Sequence, residues 1–320
     1  MARAFRAFPA MGTQCEVTVD AVAGADALAD LGIRRVALLE DCWSRFRPTS
    51  ELSRLNARAG QGPVRVSEDI RTLVRTMRSA WERTGGRCDP TVLTAVHASG
   101  YDADFAEVIA RESQGTSGLP GAAPAPTAGM SVVELGQDTV ELPAGVGLDP
   151  GAIGKGLAAD LVTEELMAAG AMGVMVNLGG DIRFAGSPGE DPAWVISVAD
   201  ERLPVDRLDR AFRWVSYQPG TSGAVATSTT LRRRWPSGAA GRVRHHIIDP
   251  ATGAVADIDL VQASVFAEEG WWAEAAATAA LLLGPQAAPA WLDAQGLSYV
   301  LLDAMSTFEP ASIEPLTTKL

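Results

Sequence analysis

The chain has 320 residues, of which 47% are hydrophobic and 21% charged, so it can bury one large core or two moderate ones. Its formal net charge of −12 and its pI of about 4.8 exclude non-specific nucleic-acid binding as a main role, because phosphate contacts need a basic face. Cys15, Cys42 and Cys88 are odd in number and widely spaced, which predicts buried free thiols in a reducing compartment rather than disulfides.

The N-terminal segment has two early arginines but no apolar run long enough for a signal peptide. No later stretch approaches the length of a membrane span. We therefore expect a cytoplasmic protein with no membrane segment, on the assumption that the sequence begins at its natural start.

The first third of the chain predicts two strands followed by a series of helices. Alternating apolar residues at 15, 17 and 19 are typical of a strand with one buried face, and segment 5–19 predicts two short strands around Met11. Apolar residues then recur at helical spacing over 26–46. Ser50 and Ser67 precede two further helical segments, and we expect both to act as helix caps.

Two polar residues near predicted helix ends have two interpretations each. Asn56 lies where its helix should end, so it is either a cap or a ligand contact. Asp89 precedes Pro90 and a further helix, so it either caps that helix or contacts a ligand. Segment 113–129, rich in Gly, Ala and Pro, predicts a mobile surface loop.

Segment 149–160, DPGAIGKGLAAD, indicates an anion site between a short apolar stretch and a helix. Small residues let backbone N–H groups approach a phosphate, and a helix N-terminus adds partial positive charge. Lys155 in this segment and Lys319 are the only lysines of the chain. A plain turn between a strand and a helix is the alternative. The glycine spacing excludes both a P-loop and a Rossmann fingerprint.

The second half of the chain predicts an α+β fold with a mainly antiparallel mixed sheet flanked by helices, after a more helical N-terminal portion. A hairpin is expected where strand 174–177 turns through 178–181 into a strand ending near Gly186. An Ala-rich helix over 271–283 should end at Gly284. Further strands are predicted at 194–198, 213–217, 224–229, 246–248, 262–267 and 297–302.

Eight segments together resemble the FAD:protein FMN transferase family, also called ApbE, and they follow the order found in that family. The resemblance covers most of the chain. The segments are AMGT at 10–13, SELSRLN at 50–56, CDPTV at 88–92, DPGAIGKGLAAD at 149–160, VNLGGDIRFAG at 176–186, VATS at 225–228, HHIIDPATG at 245–253 and AEAAATAALLLG at 273–284.

The resemblance implies an enzyme that binds FAD with Mg²⁺ and transfers FMN to a Ser or Thr of a target flavoprotein, with release of AMP. It implies one ApbE-like unit, in which portion 1–130 contributes to the flavin site and portion 131–320 carries the Gly-Lys loop and the metal site. A Mg²⁺-dependent FAD pyrophosphatase and an FAD-binding protein without catalysis are the alternative functions.

The family motifs imply roles for individual residues. The carbonyl of Ala152 and the side chains of Glu274 and Thr278 would hold the metal. His246 would be the base, since a neutral imidazole accepts a proton at physiological pH, although an isolated His is usually just packed or exposed. Asp249 would orient that site or simply form a turn. Contacts with FAD are implied for Lys155 and His246 and for Met11, Asn56, Arg87, Cys88, Asp89, Asp181 and Thr227. Asp181 has a second interpretation as the cap of the hairpin turn.

Two segments depart from the family pattern. Glu274 replaces an Asp, so this metal ligand is one methylene longer, and segment 227–230, TSTT, lacks the Gly and the acid of the usual Thr-Ser-Gly-Asp. Because Mg²⁺ tolerates little error in its bond lengths, the longer side chain predicts a loosened site that also accepts Mn²⁺ or Ca²⁺.

Overall fold

The computed structural model describes residues 1–114, 123–203, 211–237 and 242–308. Within these ranges the chain forms seven α-helices. They are α1 (Ala25–Trp43), α2 (Glu51–Ala57), α3 (Glu68–Arg83), α4 (Leu93–Ala98), α5 (Phe105–Ser113), α6 (Gly154–Ala168) and α7 (Gly270–Ala294). No helix in the described ranges has both the length and the apolar character needed to cross a membrane.

The strands of the described residues form one large sheet and four small ones. They are β1 (Ala2–Ala10), β2 (Thr13–Ala21), β3 (Val64–Arg65), β4 (Glu134–Leu135), β5 (Thr139–Glu141), β6 (Gly173–Leu178), β7 (Asp181–Gly186), β8 (Trp194–Ala199), β9 (Ala211–Tyr217), β10 (Thr221–Thr229), β11 (Arg234–Ser237), β12 (Arg242–His245), β13 (Ile248–Asp249), β14 (Ala254–Val255), β15 (Gln262–Ala267), β16 (Ser298–Leu302) and β17 (Thr307–Phe308).

The large sheet has eight strands in the order β1-β2-β6-β7-β10-β15-β16-β17. Each neighbouring pair is antiparallel, which confirms the predicted α+β class with a mainly antiparallel sheet. Five of the seven described helices precede residue 114, so the N-terminal portion is the more helical one, as predicted.

The described residues divide into two compact units. The first comprises 1–40, 155–229 and 259–320, and it contains the eight-stranded sheet. Its core includes aromatic and β-branched residues of β7, β8, β9, β10, β15 and β16, among them Phe184, Trp194 and Phe266. Helix α7 packs along β10 and β15, and its alanines between residues 273 and 280 are fully buried, which lets the helix lie close to the sheet.

The second unit comprises 41–154 and 230–258. Helices α2 and α3 begin at the predicted caps, since Ser50 Oγ accepts the N–H of Ser53 at 2.9 Å and Ser67 Oγ accepts that of Ile70 at 3.3 Å. A cluster around Tyr101 and Trp235 forms a buried aromatic core in this unit.

Several boundaries differ from the sequence predictions. The predicted strand 246–248 is wrong, because β12 ends at His245, a bend follows at His246, and β13 begins at Ile248. The Ala-rich helix leaves helical geometry at Gly284, where φ is 74°, but a second helical segment then continues to Ala294. All three cysteines are free, as predicted, although Cys42 is only half-buried. Of the loop predicted at 113–129, residues 115–122 lie outside the described residues.

Candidate functional site

Two tight turns lie side by side at one end of the eight-stranded sheet. Met11 and Gly12 join β1 to β2, and Gly179 and Gly180 join β6 to β7. The Gly179 N–H donates to the carbonyl of Gln14 at 3.1 Å, which ties the second turn to β2. A Cβ atom at Gly179 would lie 2.4 Å from Thr13 Oγ1, so this turn requires glycine. The two turns place Met11 and the first residue of β7, Asp181, at the same sheet end.

Met11 has a left-handed backbone conformation with φ of 51°. Met11 and Gly12 both have positive φ, as a two-residue hairpin turn of type I′ requires, and Asn or Gly adopts this conformation at lower cost than Met. Such strain in a residue other than glycine is typical of functional positions. Met11 therefore lies in a strained turn at this end of the sheet, and its contact with a ligand remains a prediction.

Lys155 lies between two buried carboxylates of the first unit. Its Nζ donates to Glu274 Oε1 at 2.8 Å and also forms an ion pair with Asp181. Glu274 and Asp181 are only 3% and 2% exposed. Burial lowers the pKa of Lys155, but attraction by Asp181 and Glu274 outweighs burial and holds the pKa above its ordinary value. Lys155 is therefore a permanent cation at this sheet end.

Glu274 is held by two donors rather than one. Its Oε2 accepts the backbone N–H of Gly156 at 2.8 Å, while Oε1 accepts Lys155. Burial raises the pKa of Glu274 to about 7, although the positive charge of Lys155 opposes this rise. The longer Glu side chain, which the sequence marks as a departure from the family, is thus fitted to its surroundings.

The N-terminal parts of α6 and α7 cross at two glycines. A Cβ atom on Gly156 would lie 2.2 Å from the carbonyl oxygen of Gly270, so the two backbones touch. Other N–H groups of the Gly-rich loop are also used inside the protein: Gly151 donates to Asp149 at 2.8 Å, and Gly154 donates to the Pro150 carbonyl at 2.7 Å. Close packing therefore accounts for much of the glycine content of this segment.

Asp160 on α6 caps the start of α7, a role that the sequence did not reveal. Its two carboxylate oxygens accept the N–H groups of Gly270 at 2.7 Å and of Trp271 at 2.9 Å. Arg183 Nε lies 3.0 Å from the same carboxylate. Because α7 carries Glu274 and Thr278, Asp160 and Arg183 fix the helix that presents both predicted metal ligands.

Thr227 and Ser228 on β10 point to opposite faces of the sheet. Thr227 Oγ1 bonds to Ser264 Oγ at 2.8 Å, and its backbone N–H donates to Asp181 at 3.3 Å. Ser228 Oγ bonds to Thr278 Oγ1 at 3.0 Å. The backbone of Thr227 therefore contacts one member of the acid pair, the buried carboxylates of Asp181 and Glu274. Ser228, which the sequence did not single out, places a hydroxyl beside Thr278.

The second unit holds other predicted residues in structural roles. Asn56, inside α2, donates through Nδ2 to the Leu148 carbonyl at 2.9 Å and accepts the Leu148 N–H at 2.8 Å. This pair of bonds clamps the backbone just before Asp149, which forms a buried ion pair with Arg45 at 3.3 Å. Arg45 was not found from the sequence. Ala152 lies in the turn between Asp149 and α6.

Asp89 caps the short 3₁₀ helix Pro90–Val92, as one of its two interpretations predicts. Its carboxylate accepts the Thr91 N–H at 2.9 Å and the Thr91 hydroxyl at 2.8 Å, and it also bonds to Thr127. Arg87 is exposed, and its guanidinium donates to the Thr84 carbonyl at 3.2 Å. Cys88 is 2% exposed. A ligand contact through any of the three remains a prediction.

His246 lies half-buried at the bend between β12 and β13. Three residues on, Asp249 accepts the Ala251 N–H and the Thr252 hydroxyl, both at 3.0 Å. The carboxylate of Asp249 therefore stabilises the turn into β14, which matches its interpretation as a turn former. The role of His246 as a base remains a prediction.

The acid pair of the first unit suits a hard divalent cation. Mg²⁺ is commonly held by one or two carboxylates together with substrate phosphates, rather than by a cage of protein ligands. Among the described residues, no group of three or more His, Cys, Asp or Glu side chains is placed to hold a metal. Two buried carboxylates that already attract an ammonium group, with the Thr278 hydroxyl on the helix that carries Glu274, fit the first kind of site.

The fold and this cluster define an α+β protein with Lys155 held between two buried carboxylates at one end of its antiparallel sheet. The ApbE family model matches residues 11–301. The chain belongs to the ApbE family, which confirms the resemblance seen in the sequence.

Two relatives agree with this assignment, and a solved structure has the same fold. An FAD:protein FMN transferase of Rhodobacter capsulatus is 31% identical over 303 residues, covering 92% of this chain and 54% of that protein. The chain thus spans about half the length of that relative. Another of the same name, from Treponema pallidum, is 32% identical over 264 residues, covering 75% of this chain and 67% of that protein. The crystal structure of the ApbE protein of Thermotoga maritima superposes with a TM-score of 0.81 at 22% identity, covering 97% of each chain.

Proposed function

We propose that the chain is an FAD:protein FMN transferase that uses a divalent cation. The observation that carries the proposal is Lys155 held between the buried carboxylates of Asp181 and Glu274. Cleavage of a pyrophosphate needs positive charge at the phosphate oxygens and a place for a metal, and this cluster offers both. The name FAD:protein FMN transferase, which the similar relatives carry, supports FAD as the substrate and a protein as the acceptor.

The proposed reaction is a phosphoryl transfer to a hydroxyl. The oxygen of an acceptor Ser or Thr bonds to the flavin-side phosphorus of FAD, the bond from that phosphorus to the bridging oxygen breaks, and AMP leaves. His246 accepts the proton of the attacking hydroxyl. The ammonium group of Lys155 contacts the phosphate oxygens, which requires it to release at least one of its two carboxylates.

Glu274 and Thr278 lie four residues apart on α7, so their side chains share a helix face. With Asp181 they would hold Mg²⁺, and the bound ion would neutralise charge on the phosphate oxygens. Asp160 and Arg183 hold α7 in place, and Ser228 orients the hydroxyl of Thr278. Ligation by the Ala152 carbonyl remains a prediction from the family motif.

The test is to incubate the purified protein with FAD, Mg²⁺ and a candidate acceptor flavoprotein, with AMP measured by chromatography and the acceptor by mass spectrometry. We expect AMP release together with covalent FMN on a Ser or Thr of the acceptor. AMP and free FMN without labelling of the acceptor would instead identify an FAD pyrophosphatase. Binding of FAD with no AMP would identify a protein that only binds the flavin.

A further inference from the structure

The chain contains one long stretch without acidic residues. Although it has 39 Asp and Glu residues, none occurs from 211 to 248. The same stretch contains Arg213, Arg232, Arg233, Arg234, Arg242 and Arg244. In a chain with a net charge of −12, a segment with six arginines and no acidic residue departs clearly in charge from the rest of the sequence.

Four of these arginines belong to the β11–β12 hairpin or directly precede it, in the second unit. One face of the hairpin is anchored in the core: Trp235 is 1% exposed and packs on Tyr101, and Arg244 donates to the Ser99 carbonyl at 3.0 Å. The pairing of Arg234 with His245 and of Pro236 with Val243 places these four residues on the opposite face. We call this opposite face, formed by Arg234, Pro236, Val243 and His245, the outer hairpin face.

The outer hairpin face combines an available positive charge with apolar surface. Arg234 is exposed and its side chain forms no ion pair or hydrogen bond with any described residue, whereas many arginines of this unit pair with carboxylates. Val243 is 55% exposed, and Pro236 is exposed beside it. A surface of this kind is complementary to a segment that carries both acidic and apolar side chains.

The backbone at the start of the hairpin supports a functional role. Arg233 has a φ of 48°, and Met11 is the only other non-glycine residue with positive φ in the described parts of the chain. A left-handed conformation is costly for a residue other than glycine, and such strain concentrates at functional positions. Arg233 therefore marks the entrance to the hairpin as more than a connecting turn.

We propose that the outer hairpin face docks an acidic, partly apolar segment of the protein that receives FMN. This inference rests on the proposed function, and it adds the chemical character of the acceptor. The negative surface elsewhere repels an acidic partner, so such a partner is steered to the hairpin. His246, the candidate base, directly follows β12 and is next in sequence to His245, which belongs to the outer hairpin face.

The test uses two short fluorescent peptides that each contain one Thr, one flanked by Glu and Leu and the other by Lys and Leu. Binding to the full chain is measured by fluorescence anisotropy. We expect the acidic peptide to bind and Arg234→Glu to weaken it about tenfold, with a smaller loss for Arg234→Gln. Arg34→Glu is the matched control, because Arg34 is exposed on α1 and has the same change of charge. The wild type should bind the acidic peptide more weakly at roughly 0.15 M salt than in a buffer of low ionic strength.

The proposal is overturned if the acidic peptide binds the wild type and both Arg234 variants equally tightly. It is also overturned if the wild type binds the lysine peptide as tightly as the acidic peptide. A single-stranded DNA that bound through Arg234 more tightly than the acidic peptide would overturn it too, by showing a phosphate site. AMP release from FAD without acceptor is measured on every variant, and we expect Arg234→Glu to retain it. If the wild type releases no AMP from FAD, the proposed transferase function is contradicted, but the comparison of peptide binding stays valid.

Discussion

Shortening Glu274 to Asp tests how closely the acid pair is fitted to its surroundings. The carboxylate would retreat by about 1.5 Å, the length of one carbon–carbon bond. Its bonds to Lys155 Nζ and the Gly156 N–H, both 2.8 Å in the structure, would then stretch to roughly 4 Å and be lost. Each hydrogen bond to a charged group contributes about 1.5 to 3 kcal/mol, so we expect a loss of about 3 kcal/mol in the free energy of unfolding after partial relaxation.

The same change should weaken the proposed metal site. The sequence alone favoured the opposite result, with the shorter family residue tightening a loosened site. The structure shows instead that Glu274 reaches two donors, so Glu274→Asp should raise the Mg²⁺ concentration needed for half-maximal AMP release by about tenfold.

Urea unfolding and a Mg²⁺ titration of AMP release measure the two effects. Glu165→Asp on α6 is the control, because Glu165 is 42% exposed and pairs with Arg35 at 3.3 Å, so its loss should stay within about 0.5 kcal/mol. If Glu274→Asp tightens Mg²⁺ binding without a loss of stability, the argument that the backbone is fitted to Glu is refuted.

Three further predictions concern single residues. Lys155→Met should lower the free energy of unfolding, measured in urea, by about 3 to 5 kcal/mol, because it leaves two buried carboxylates without their cation. The same variant should release no AMP. If it is as stable as the wild type, Asp181 and Glu274 do not need the lysine. His246→Ala should lower AMP release at least about a hundredfold while the Kd for FAD in calorimetry stays within about twofold, and unchanged turnover would remove His246 from the mechanism. Burial raises the pKa of Asp160 from 3.8 to about 6. Between these two pH values the folded state keeps a proton that the unfolded chain has lost, so the contribution of Asp160 to stability falls as pH rises from about 4 to 6. The unfolding free energy of the wild type relative to Asp160→Asn should therefore drop by roughly 3 kcal/mol over this range, and a difference independent of pH would contradict the assigned cause.

The sequence by itself determined the fold class, because its signals are local. Alternating apolar residues in β2 and serine caps before α2 and α3 depend only on neighbours in the chain. The motifs also identified Lys155, Asp181 and Glu274 as separate candidates, and these three meet in one network. The periodicity of the sequence did not predict the backbone conformation at His246, where a bend replaces the predicted strand.

The partners of the candidate residues were decided only by the tertiary structure. Asp160 caps α7 from 110 residues away, and Asn56 clamps a backbone segment 92 residues away. Nothing in the local sequence distinguishes such a carboxylate or amide from a solvated one, since its hydrogen bonds exist only after distant elements have packed. The same reason explains Gly156: in the sequence it suggests a phosphate loop, but in the folded protein it is the point where α6 touches α7. Local pattern therefore determined the elements and the candidate residues of the site, and long-range packing determined which of these residues meet and which other residues hold them in place.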